Sequence, residues 1–116
     1  MYERMNSINS LLKREVSTII LTDVKDPRLS SLTSVTSVTT SKDLHNSTIF
    51  ISVIGEDTVK TNSIKALRSA AGFIQKKLRN NLHLRFIPRI RFVLDNSLDE
   101  AEKIDRIINS YRNDKE

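Results

Sequence analysis

The order in which apolar residues change their spacing constrains this chain more than any single motif does. Met5, Ile8, Leu12, Val16 and Ile19 recur at three- and four-residue steps, and Leu11 and Ile20 widen the stripe. That is the pattern of an amphipathic helix over residues 5–20. It must end before Asp26-Pro27, because the residue before a proline avoids the helical region. Residues 33–40 and 47–54 are then rich in Thr, Ser, Val and Ile, which favour strands. Ile49, Ile51 and Val53 alternate onto one face. Val35 and Val38 break that period, so a bulge near Ser37 is needed to bring both inward. The polar stretch Ser41 to Asn46 predicts a turn joining the two strands as an antiparallel hairpin.

From Thr58 to Leu82 the helical spacing returns through Ile64, Leu67, Ala71, Ile74 and Leu78. Gly72 interrupts it after Ala70 and Ala71. A glycine inside a helix costs about 1 kcal/mol against alanine, so a kink is expected at Ala70, Ala71 and Gly72. After Pro88, Arg89-Ile90-Arg91-Phe92 alternates basic and apolar, as a half-buried strand does. Ser97 and Glu100 have the spacing of a capping box, and Leu98, Ala101, Ile104, Ile108 and Tyr111 mark a final helix. The order is therefore α-β-β-α-kink-α-β-α. It predicts an α+β domain whose three-stranded mixed sheet carries its helices on one face. A chain of 116 residues supports one core, so residues 1–116 are read as one domain.

Charge is unevenly placed along this order. Residues 1–57 hold 6 basic and 7 acidic side chains, residues 58–94 hold 9 basic and no acidic ones, and residues 95–116 hold 4 basic and 7 acidic ones. An acid-free basic block attracts a polyanion; the plainer reading is a solubilising face. At about 100° per residue, Lys65, Arg68, Gly72, Lys76 and Arg79 fall within about 80° of one another beside the apolar stripe, whereas Lys77 lies apart. Lysine and arginine neutralise phosphates and release counterions, and arginine adds a planar fork. Gly72 would let a nucleic-acid backbone approach, and a helix restarting there would offer N–H groups to an anion. The small residues could instead serve tight helix packing. Arg85, Arg89 and Arg91 form a second cluster, with Arg89 and Arg91 on one strand face. They are candidate RNA contacts together with the helix cations and Lys77, or an exposed face kept soluble.

Other classes of function find little support. The chain has no cysteine, hence no disulfide, thiolate metal site or cysteine nucleophile, and a reducing cytoplasm is the default. Apolar runs fall far short of the roughly 20 residues of a membrane helix, and the polar start, Met1 to Lys13, lacks the apolar core of a signal peptide. His45 and His83 have no carboxylate partner nearby in sequence. Asp99 and Glu100 suit the first turn of a helix better than a metal or an acid–base pair with Asp95 or Glu102. No P-loop, dinucleotide fingerprint, zinc spacing or nucleophile elbow occurs. Aromatic residues make up 5% of the chain, too few for a broad base-stacking sheet. No catalytic residue, cofactor, metal or small-molecule substrate is assigned.

Several segments resemble one family. Lys25-Asp26-Pro27-Arg28-Leu29 resembles its signature after the first helix. Ser41-Lys42-Asp43-Leu44 followed by Ile49-Phe50-Ile51-Ser52 resembles its strand connection and second strand. Ala70-Ala71-Gly72 matches the Ala-x-Gly kink that replaces the Gly-x-x-Gly loop of ordinary KH domains. Pro88-Arg89-Ile90-Arg91-Phe92, Asp95-Asn96-Ser97 and Ile104 follow in the same order. Together they are similar to the bacterial ribosome-binding factor A family. The resemblance implies a type II KH-like RNA-binding domain acting as a monomer in the cytoplasm. It also implies binding to the small ribosomal subunit and its ribosomal RNA, near the decoding and neck region, during late maturation. That role matters most in the cold and ends before translation starts. Members often carry a long basic C-terminal tail, whereas this sequence stops at Asn113-Asp114-Lys115-Glu116. A basic protein–protein adaptor without RNA contact is the alternative, and an RNA-processing hydrolase using the C-terminal carboxylates is a third. Asp26 and Arg28 are read first as turn chemistry, with contact to a partner left open.

Overall fold

A computed structural model describes residues 2–84 and 86–95. Helix α1 runs Tyr2–Thr22 and is followed by strands β1, Thr33–Thr40, and β2, Asn46–Val53. Helices α2, Asp57–Ser69, and α3, Ala71–Asn81, then lead to strand β3, Arg89–Leu94. The expected final helix, with Ser97, Glu100, Leu98, Ala101, Ile104, Ile108 and Tyr111, lies outside the described residues. Among the described residues no helix is long and apolar enough to cross a membrane.

The stripe read from the sequence is the buried face of α1: Leu12, Val16 and Ile19 are at most 1% exposed. The helix closes with Asp23 and Val24 donating to the Ile19 carbonyl at 2.8 and 3.1 Å, before Pro27 removes a donor. Strands β1 and β2 pair antiparallel, and their register shifts between Val35 and Ser37. Thr36 is the extra residue of the expected bulge. It lets Val35 and Val38 both turn inward, 8% and 7% exposed.

Strand β3 pairs parallel to β2, from Asn46 opposite Arg89 to Ile51 opposite Leu94, in a sheet of order β1-β2-β3. Parallel neighbours need a crossover rather than a turn, and α2 and α3 supply it. Leu12, Val16 and Ile19 of α1, Ile64 and Leu67 of α2, and Ile74 and Leu78 of α3 form one cluster with the inward residues Val35, Val38, Ile49, Ile51, Val53, Ile90 and Phe92. The helices therefore cover one face of the sheet. The other face presents the polar alternates, including Ser52, Arg89 and Arg91, with half-buried Phe50 and Val93.

The α1–β1 connection is tied down by one buried hydroxyl. Ser63 on α2, fully buried, accepts the Ser30 N–H at 3.0 Å and donates to the Arg28 carbonyl at 3.4 Å. Removing one partner of a partly buried bond leaves the other unsatisfied. Ser63→Ala is expected to destabilise the fold by about 1–3 kcal/mol, seen as a lower urea midpoint with an unchanged slope.

Candidate nucleic-acid interface

The break in the crossover falls at Ala70, two residues before Gly72. Ala70 has φ −88° and ψ 0° and serves both as the end of α2 and as the cap of α3. Gly72 lies inside the first turn of α3. The break is not an open helix N-terminus, because backbone N–H groups at the α2 cap bond the Ala66, Leu67 and Arg68 carbonyls. The sequence-based expectation of free N–H groups awaiting an anion is corrected accordingly. The interruption is the single residue Ala70, and its own N–H stays bonded within the chain, to the Ala66 and Leu67 carbonyls at 3.0 and 3.1 Å.

Gly72 is exposed, and a Cβ added to it would meet nothing within 4 Å. Close internal packing is therefore not why a glycine stands there. What remains is an unobstructed patch of exposed backbone on a crossover that also carries exposed cations. Lys65 and Arg68 lie exposed on α2, and Lys76 and Arg79 lie exposed on α3. Among the described residues, Lys65, Lys76 and Arg79 meet no carboxylate at ion-pair distance. Arg68 is partly committed: its Nη2 donates to the Phe92 carbonyl of β3 at 3.3 Å. That bond stretches the side chain along the sheet edge and fixes its guanidinium beside β3.

The structure separates the remaining candidates. Lys77 is half-buried with its Nζ 5.7 Å from the centre of the Phe73 ring, a cation–π contact away from the stripe. Arg89 and Arg91 project from the outer face of the sheet, opposite the helices, because Ile90 and Phe92 take the inward positions. Since Arg68 reaches the same strand, cations flank β3 on both sides of the sheet edge. Arg85 lies outside the described residues.

Residues that the sequence did not place near the helices gather at the break. Arg28 pairs with Asp26 at 2.7 Å, and its Nη2 also donates weakly to the Ser69 Oγ at 3.4 Å, where α2 ends. A shallow groove of about 300 Å³ runs between Lys25 and Asp26 on one side and Ala66, Ser69, Ala70 and Phe73 on the other. The Lys-Asp-Pro-Arg motif was the signal. What it could not show was that the turn docks against the helix break. Asp26 also accepts the Arg28 N–H at 2.9 Å, so the motif builds a turn. The Arg28 side chain, then its backbone N–H, hold the Asp26 carboxyl below the ordinary aspartate range. A larger groove, about 610 Å³ between the end of α1 and the start of β1, is lined mainly by apolar and hydroxyl side chains, including Ile20, Leu21, Val24 and Val35. Its chemistry does not suit a polyanion.

A small α+β domain with helix, hairpin, broken helical crossover and parallel third strand is KH-like, with a helix break where ordinary KH domains carry a glycine loop. Comparison with known proteins narrows this class. The family model for ribosome-binding factor A matches residues 4–108, and the chain belongs to that family. A ribosome-binding factor A from Acetivibrio thermocellus is 44% identical over 107 residues, covering 92% of this chain and 87% of that protein. The crystal structure of ribosome-binding factor A from Thermus thermophilus superposes with a TM-score of 0.68 at 26% identity, covering 78% of this chain and 94% of that one. A model of the Thermus thermophilus factor, fitted into a cryo-EM map of its complex with the 30S subunit, superposes with a TM-score of 0.63 at 25% identity, covering 76% and 91% of the two chains.

Two measurements check this geometry. Gly72→Ala is expected to leave stability unchanged or raise it by up to about 1 kcal/mol, read from thermal melts. Asp26, whose carboxylate form is favoured by folding, is expected to titrate below the ordinary aspartate range in a carboxyl NMR titration. Its pair with Arg28 stays intact above the unfolded pKa and is lost as pH falls through the lower folded value. Arg28→Ala, which keeps the backbone N–H, should raise the midpoint toward the ordinary range.

Proposed function

We propose that the protein binds the small ribosomal subunit through its ribosomal RNA during late maturation, with the bent α2–α3 crossover as the contact surface. The observation that carries this reading is the exposed stripe Lys65, Arg68, Lys76 and Arg79 centred on Gly72, where no side chain blocks approach to the backbone. Phosphates would meet the cations, and Gly72 would admit the RNA backbone between them. Arg89 and Arg91 extend the positive field around β3, and Lys25 adds to it at the break. The family membership supports a ribosomal partner, and the 30S complex of the Thermus factor supports the small subunit. The protein would act by occupancy: it favours whichever RNA conformation it binds better, with no bond made or broken.

Changing Lys65, Arg68, Lys76 and Arg79 together to glutamate is expected to abolish co-sedimentation with small subunits while the circular dichroism spectrum is retained. Nuclease treatment of the wild-type complex should release the protein. Affinity should fall with salt by roughly 0.7–0.9 log units per log unit for each phosphate contacted, so neutralising the four cations to glutamine should flatten that slope by about three. A folded glutamate variant that still co-sediments would defeat the reading. Survival of the complex through nuclease would point instead to a protein partner.

A further inference from the structure

Two rings away from the helix stripe face one another on the surface. His45, in the β1–β2 turn, and Phe86, in the loop before β3, stack with ring centroids 5.6 Å apart and planes 22° from parallel. Both residues are exposed, Phe86 by 49%. The pair therefore closes no core and leaves a flat π surface open to solvent.

The scaffold beneath the pair is firmly built. The Ser41 hydroxyl donates to Asp43 Oδ1 at 2.6 Å, and the same carboxylate oxygen accepts the His45 N–H at 3.0 Å. Ser41 Oγ in turn accepts the Asn46 N–H at 3.1 Å. Leu44 holds φ 63° in the left-handed region, where side chains longer than glycine are strained. The His45 carbonyl accepts the Arg89 N–H at 2.8 Å. The rings are thus fixed to the start of β3, whose Arg89 and Arg91 side chains stand on the outer face of the sheet. The Oδ1 of Asp43 is turned into the turn's own hydrogen bonds.

Unpaired RNA bases are recognised by stacking on Phe, Tyr, Trp or His rings with an adjacent cation for the phosphate. Rings already parallel, on a turn that needs no ordering, lose little freedom on binding. We propose that His45 and Phe86 receive one unpaired nucleobase on their stacked rings while Arg89 meets the adjoining phosphate. This rests on the RNA-binding reading above and adds to it a single-stranded element, read at the start of β3. One base is all that a two-ring surface holds, in keeping with the absence of a broad stacking sheet.

The test uses the full chain and two fluorescein-labelled RNAs, a single strand and a blunt duplex of the same sequence. A second, unlabelled single strand carries 2-aminopurine. Wild-type protein is expected to bind both labelled RNAs and to quench 2-aminopurine on binding. Phe86→Leu, which keeps apolar bulk and removes the ring, should weaken single-strand binding about tenfold, spare the duplex and lose the quench. Phe86→Tyr should restore all three, and His45→Ala should behave like Phe86→Leu. Wild-type affinity and quench in Phe86→Leu, or equal losses for both RNAs, would overturn the stacking site and leave the helix-stripe reading standing. Failure of wild-type protein to bind either RNA would overturn both.

Discussion

The parallel pairing of β2 with β3 is the constraint on which the rest depends. A parallel neighbour cannot be reached by a tight turn, so the chain must leave the sheet after Val53 and return at Arg89. The intervening helices must cover the sheet, because the inward faces of Ile49, Ile51, Ile90 and Phe92 would otherwise be wet. The same helices keep their outer sides in solvent. One segment therefore closes the core with one set of side chains and carries the cations on another. Ile64, Leu67, Ile74 and Leu78 hold it to the sheet; Lys65, Lys76 and Arg79 occupy positions that this packing forces outward.

The break at Ala70 follows from that division. One unbroken helix could not keep both halves of the crossover against a twisted sheet, so the helix breaks where the side chains are small, at Ala70. Glycine is the weakest helix former nearby, yet its penalty of about 1 kcal/mol is small beside the burial of four large apolar side chains, each worth roughly 1.5–3 kcal/mol. Packing therefore chooses where the helix bends, and Gly72 is left exposed two residues further on. Ser63 and Ser69 show the same economy. One fixes the loop after Arg28 from inside the core, and the other meets the Arg28 guanidinium at the surface.

Arg68 and Arg28 illustrate how charge can serve architecture as well as binding. Arg68 anchors to a carbonyl of the edge strand, and Arg28 closes a turn on Asp26. Each keeps a full positive charge, since arginine does not release its proton near neutrality. A structural bond then fixes where the charge stands and lowers the entropy lost when an anion arrives. Exposed lysines such as Lys65 and Lys76 have no such tether among the described residues and contribute field strength more than position.

Most of the fold was legible in the chain itself. Spacing of apolar residues is a local property, repeating at 3.6 or 2 residues. It fixed α1, both hairpin strands, the crossover and β3, and even required the bulge that Thr36 supplies. The outward direction of Arg89 and Arg91, and the exposure of Lys65, Arg68, Lys76 and Arg79, follow from the same periods. Whether the separate clusters form one surface was not legible, because periodicity says nothing about elements far apart in sequence. Folding set the helix cations and the strand arginines on either side of β3, and it seated the Lys25–Arg28 turn beside the break. The meeting of Arg28 with Ser69, of Arg68 with Phe92 and of His45 with Phe86 spans 24 to 41 residues. Such contacts depend on how the layers pack, which no short stretch of residues encodes.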